Sequence, residues 1–265
     1  MQEILVHLDG GPCGAPRLAA ALGLAKLYSA RLTGLFAERE SEPAALVARR
    51  PGSRLAAAAT ASRQDFQVAL ADSGVSGRWL ALAHGEPIFV AAETAFCARF
   101  FDLVVVGQGG ADYPVLPDDI VERVVLESGR PVLVIPQSGA ALTPGDSIVL
   151  AWNASREASR ALHDSLPLLA RARNVTVLSV PAGESADNKL PQMDIFAHLM
   201  AHGIAARPER MPAEDIGVMD LLLSRAYDLG ADLLIMGAPA ASGFGKGGGT
   251  RFLLRHLTLP VIISG

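Results

Sequence analysis

The chain has 265 residues, half of them hydrophobic and 19% charged, with a formal net charge of −4. That is enough apolar length for two modest domains or one large one with an extensive core. The acidic balance argues against a nucleic-acid surface, which carries basic patches, and no run of about 18 apolar residues offers a membrane span.

The first residues, MQEILVHLDGG, carry Glu3 and Asp9 and lack the basic start and apolar core of a secretory signal. A cytoplasmic protein is therefore expected, and the sequons NAS (153–155) and NVT (174–176) read as coincidental. The apolar run in residues 3–8 reads as a strand that ends at Asp9 and a glycine turn. APRLAAALGLAKLYSA follows with a helical Ala/Leu pattern, and RLTGLFA (31–37) reads as a second strand. Cys13 and Cys97 are the two cysteines, too few for a disulfide framework or a metal site. FDLVVVGQGG predicts a strand over 102–107, apolar throughout as in a strand covered on both faces. SGRPVLVIP predicts another over 132–136. QSGAALTPGD (137–146), small, polar and proline-containing, reads as a linker.

The same features then return in the same order. SIVLAWNAS (147–155) matches EILVHLDGG, with Asn153 in the place of Asp9. REASRALHDSLPLLARA supplies the helix and NVTVLSV the second strand. ADLLIMGAPA (231–240) matches FDLVVVGQGG, and LTLPVIISG (257–265) matches SGRPVLVIP. Strands are predicted at 147–152, 232–236 and 260–264. A repeat this long implies two domains, 1–138 and 146–265, and not a solenoid. Strand runs alternating with helix-period stretches imply βα units around a parallel sheet, where ligands bind beyond the carboxyl ends of the strands. The turns after ILVHL, IVLAW, LVVVG and LLIMG are the places to look for chemistry.

Two copies of strand–(Asp/Asn)–turn–helix, of DLVVVG or DLLIMG, and of a closing RPVLVIP or LPVIIS resemble a tandem universal stress protein. The resemblance covers nearly the whole chain, and RHLTLPVIIS after a glycine-rich loop is typical of that family's C-terminal segment. It implies an α/β fold of two tandem doubly wound, Rossmann-like domains, each with a five-stranded, mainly parallel sheet. The domains would pair as a pseudo-dimer through VLVIP and VIIS, apolar edges that otherwise invite aggregation, with a homodimer as a further arrangement. It also implies a stress-response regulator that binds ATP or another adenine nucleotide in some members and none in others.

Nucleotide-binding members of the family resemble one another in a Gly-x-x-Gly pair followed, after a spacer, by Gly and Ser or Thr. The second copy offers Gly237 and Ala240 for the pair, then Gly247, Gly248, Gly249 and Thr250. Ala240 replaces a glycine and the spacer is short, yet GGGT can present amides to phosphates at the start of RFLLRH. By the same resemblance Asn153 lies near the ribose or base, where an amide bonds a hydroxyl, and Ala151, Val180 and Met236 form apolar walls. Asn153 also reads as a helix cap, a role Ser155 could fill equally well. The first copy departs further. Asp112, Asp118, Asp119 and Glu122 follow Gly107 where phosphate oxygens would approach, and carboxylates repel a triphosphate. Nucleotide is expected in the second copy alone.

Other patterns do not assemble into chemistry. GKGGGT is no Walker loop, because Lys246 is followed by Gly. Ser242 lacks the first glycine of a nucleophile elbow, and His163, Asp164 and Ser165 are adjacent on one helix and point apart. HLMAH sets His198 and His202 one turn apart but shows no third ligand, so a surface helix face is expected and no metal site. No catalytic residue is nominated, and at most slow ATP hydrolysis is expected. The competing reading is an interaction module that has lost its nucleotide and works through protein surfaces.

Overall fold

The computed structural model describes residues 1–11, 13–109, 115–137, 145–179, 193–210, 218–238 and 254–265. The first half runs β1 (Glu3–Leu8), α1 (Gly14–Tyr28), β2 (Arg31–Phe36), α2 (Pro43–Ala48), α3 (Ser53–Ser73), β3 (Gly77–Ala81), α4 (Pro87–Ala98), β4 (Leu103–Gly107), α5 (Ile120–Ser128) and β5 (Val132–Ile135). The second runs β6 (Ser147–Trp152), α6 (Arg156–Leu169), β7 (Asn174–Ser179), α7 (Ile195–Ala201), β8 (Ala206–Arg210), α8 (Val218–Asp228), β9 (Leu233–Gly237) and β10 (Val261–Ser264).

The described strands form one sheet of ten, ordered β3-β2-β1-β4-β5-β10-β9-β6-β7-β8. Each half is five parallel strands, and the two halves meet where β5 pairs antiparallel with β10, Val134 opposite Val261 and Leu133 opposite Ile262. The seam is the pairing of closing strands that the repeat suggested.

The apolar monotony of the closing strands follows from this place in the sheet. Val132, Val134, Val261 and Ile263 point into one apolar layer, with α4, α5 and α8. Leu133, Ile135 and Ile262 point into the other, with α1, α3, α6 and α7. A strand covered on both faces leaves little place for a polar side chain, and Ser264 at the end of β10 is the exception. Across the seam Tyr28 Oη donates to the Pro167 carbonyl at 3.0 Å and Arg160 Nη2 to the Gly129 carbonyl at 2.7 Å.

The repeated aspartate of DLVVVG and DLLIMG works at the opposite end from any ligand. Asp102 Oδ2 accepts from the amides of Gln2 (2.6 Å) and Glu3 (3.1 Å) ahead of β1. Asp232 accepts in the same way from Asp146 (2.9 Å) and Ser147 (3.2 Å) ahead of β6. Each carboxylate satisfies strand-entry amides that would otherwise lack partners.

Sequence patterning did not anticipate β3 or β8. Both are edge strands, mostly exposed, reading GRWLA and ARPER. Their arginines and Pro208 suit an edge that must resist further pairing, and these residues hide the strand from a hydrophobic scan. No helix among the described residues is long and apolar enough to cross a membrane.

The seam makes a prediction about cooperativity. Ile262 is 1% exposed, so Ile262→Asp buries a charge between the halves and should destabilise the chain by roughly 3 kcal/mol or more. Trp79 and Trp152 report separately on the two halves in Trp152→Phe and Trp79→Phe backgrounds. Urea unfolding should show both transitions shifting together, whereas a shift in the second half alone would mean that the seam does not couple them.

Candidate functional site

β6 ends at Trp152, and the chain turns through Asn153 and Ala154, the latter at φ +59°. Asn153 Oδ1 accepts from the Ser155 amide at 3.1 Å, and Ser155 Oγ accepts from the Ala158 amide at 3.1 Å to cap α6. The two residues thus divide the work: Asn153 forms the turn and Ser155 the cap. Among the described residues neither donor of the Asn153 amide is engaged, which leaves both for another partner.

A cavity of about 340 Å³ opens beside this turn. It lies beyond the carboxyl ends of β6 and β9, between the starts of α6 and α8, which is where a parallel sheet of this order places ligands. Ala151, Asn153, Met236 and Gly237, all singled out from the sequence, line it together. Val180, Gly247, Gly248, Gly249 and Thr250 lie outside the described residues. Sequence reasoning missed Glu157 on α6 and Val218, Met219 and Leu222 on α8. The apolar pair Val218 and Met219, with Leu222 one turn further on, was the available signal.

Gly237 borders the cavity, but packing dictates its glycine. A Cβ there would sit 2.4 Å from the Glu157 carbonyl carbon and 2.5 Å from the Ala158 nitrogen. β9 and α6 approach too closely for any side chain. Glu157 lies in the first turn of α6, a favourable place for its charge, and pairs with Arg156 at 3.1 Å.

The first half fills the corresponding space with its own side chains. His7 stands at the repeat position of Ala151 and Asp9 at that of Asn153. Asp9 Oδ1 accepts from the Gly11 amide at 2.8 Å, the same bond that Asn153 makes, although Gly10 does not share the positive φ of Ala154. The other Asp9 oxygen accepts from Arg17 Nη2 at 2.6 Å, and both side chains are shut off from solvent. The guanidinium lies between α1 and β4, where a Cβ on Gly107 would be 2.4 Å from Nη1. His7 Nε2 lies 2.8 Å from the Ala37 carbonyl, an acceptor only, so this nitrogen carries the proton. Burial, reinforced by the Arg17 guanidinium, pushes the His7 imidazole down to about 4 although Asp9 and the Ala37 carbonyl pull it upward. His7 is therefore neutral at neutral pH. A larger cavity of about 500 Å³ in this half opens between α1 and α3, walled by Ala15, Leu18, Ala58 and Ala61. It shares with the second-half cavity the repeat positions Asp9, Gly11 and Gly14, but lies on the α3 side of α1 and does not reach β4.

Two outcomes follow for stability. Removing one partner of the buried pair leaves a charge uncompensated, so Asp9→Ala should cost about 3–5 kcal/mol. Asp9→Asn with Arg17→Met should cost less than Asp9→Ala in the same urea titration, because no charge is left buried. His7 binds its proton more weakly folded than unfolded, so its contribution is present above the unfolded value of 6.5 and is lost as pH falls toward 4. The parent should lose about 3 kcal/mol through that window relative to His7→Gln, measured as the difference between their urea midpoints from pH 7 to 4.

No protein-family model and no curated protein matches the chain. Among solved structures, a universal stress protein from Archaeoglobus fulgidus DSM 4304 is similar over 99% of this chain and 97% of its own, at 15% identity and a TM-score of 0.69. Half-length matches include a universal stress protein family member from Burkholderia pseudomallei, 27% identical over 51% of this chain and 96% of its own, with a TM-score of 0.35. Another is the Archaeoglobus fulgidus universal stress protein in complex with dAMP, 15% identical over 51% of this chain and 97% of its own, with a TM-score of 0.37. The full-length match joins the ten-stranded sheet and its antiparallel seam in one conclusion: the chain has the fold of a tandem universal stress protein.

Proposed function

We propose that this is a regulatory protein of the universal stress type that binds an adenine nucleotide, ATP foremost, in its second domain. Residues 1–138 and 146–265 are its two domains. The observation that carries the reading is the cavity shared by Ala151, Asn153, Met236 and Gly237, set against the first half, where the Asp9–Arg17 pair occupies the matching space beside β4. Its volume of about 340 Å³ suits a nucleoside, within the usual range of roughly 300–1,000 Å³ for small-molecule pockets. Met236, Val218 and Leu222 offer apolar walls for a base, and Asn153, Ser155 and Glu157 offer hydrogen-bonding groups for ribose hydroxyls. Glu157 repels phosphates, which leaves the amides of Gly247–Thr250 and Lys246 as their partners. The assignment is to binding, with a signalling output, and not to turnover.

The reading is tested by calorimetric titration of the full chain with ATP. One site per chain is expected. Gly248→Asp, which sets a carboxylate among the phosphates, should lower affinity at least about tenfold, or roughly 1.4 kcal/mol. Asn153→Ala should weaken binding of adenosine and ATP alike, since it acts on the nucleoside. Two sites per chain would refute the asymmetry, and no binding by the parent would favour a module that works through protein surfaces.

A further inference from the structure

We infer that His163, His198 and His202 form a binding site for a divalent transition-metal ion, zinc by class, that staples α7 onto α6. The sequence showed only the helical pair His198 and His202, without a third ligand. The fold supplies it, bringing His163 of α6 against α7, with its ring centroid 5.1 Å from that of His198. His198 and His202 are 4.9 Å apart by the same measure. Two imidazoles that share a tetrahedral ion at about 2.0–2.1 Å per bond stand with their centroids roughly 5 Å apart.

The nitrogens agree with this role. His163 Nδ1 donates to the Ser159 carbonyl at 2.7 Å, which places its proton there and leaves Nε2 with a lone pair. A backbone carbonyl behind the ring is the usual way of orienting a ligating histidine. His198 Nε2 is buried against its neighbours with no hydrogen-bond partner, an unmet group at the centre of the cluster. A bound cation satisfies it. The donors are imidazoles, which select zinc, nickel or copper over magnesium or calcium.

As they stand, no three such side chains among the described residues are placed to hold a metal ion, so binding requires the His202 ring to turn. His202 is exposed and is the C-cap of α7, outside the regular helix, and His163 is exposed on α6. The His202 ring has room to rotate toward His198, while His163 keeps its bond to the Ser159 carbonyl. The site lies about one and a half turns along α6 from the nucleotide cavity and does not depend on the nucleotide reading.

Zinc titration of the full chain, purified without a polyhistidine tag and without nucleotide, tests the assignment by calorimetry and by thermal unfolding. One equivalent should bind, with a rise in Tm that chelator reverses. His198→Ala should abolish saturable binding, and His163→Gln should weaken it about tenfold or more. His163 is exposed, so its replacement leaves the core intact, and circular dichroism confirms the fold of both variants. Absence of saturable binding to the parent overturns the inference. So does full affinity in His163→Gln, which would reduce the site to a helix pair, or retention of zinc by His198→Ala.

Discussion

The pairing of β5 with β10 is the constraint on which the rest of the molecule depends. Each half on its own ends in a short, apolar, unpaired strand edge, the kind of surface that recruits other chains. Joined antiparallel, the two edges satisfy each other, and the sheet becomes continuous from β3 to β8. Both apolar layers then run uninterrupted beneath the helices of both halves. The pseudo-twofold relation of the halves follows directly, because a parallel sheet can meet its own copy edge to edge in this way only with strand directions opposed.

Within that frame the two halves solve the same geometric problem differently. A strand, an Asx turn and a helix start leave a space beyond the sheet in each copy. In the first half His7, Asp9 and Arg17 occupy it, and an ion pair between two fully buried side chains satisfies the charges internally. In the second half alanine at position 151 leaves the space open, and Asn153 keeps the turn without bringing a charge. The first copy closes the space against β4 with an ion pair and opens instead toward α3, while the second leaves the space against β9 open. The contrast lies in residue volume and charge, since both turns keep the same side-chain-to-backbone bond.

Most of the fold was legible in the sequence. The central strands are apolar at nearly every buried position, His7 and Ser264 excepted, because both faces are covered, and such runs stand out against alternating patterns. The predicted bounds of β1, β4, β6, β9 and β10 hold to within a residue. β3 and β8 were illegible for the opposite reason: an edge strand carries arginine, proline and glycine that a hydrophobic scan passes over. At the site, the sequence nominated the residues contributed by strand ends. It missed Val218, Met219 and Leu222, because a helix face turned toward a cavity looks like one turned toward a core.

The sequence alone determined the repeat, the doubly wound class, the closing-strand pairing and the turn at Asn153. Each is a local pattern read twice, and local patterns survive in one dimension. Tertiary structure decided which space is filled. Arg17 is a helix residue in sequence and becomes the occupant of a gap at Gly107 only once α1 lies over β4. His163 is 35 residues from His198 and meets it only where α6 and α7 share one face of the sheet. Volume, charge compensation and ligand convergence are properties of packing, and packing brings together residues whose separation along the chain carries no trace of their contact.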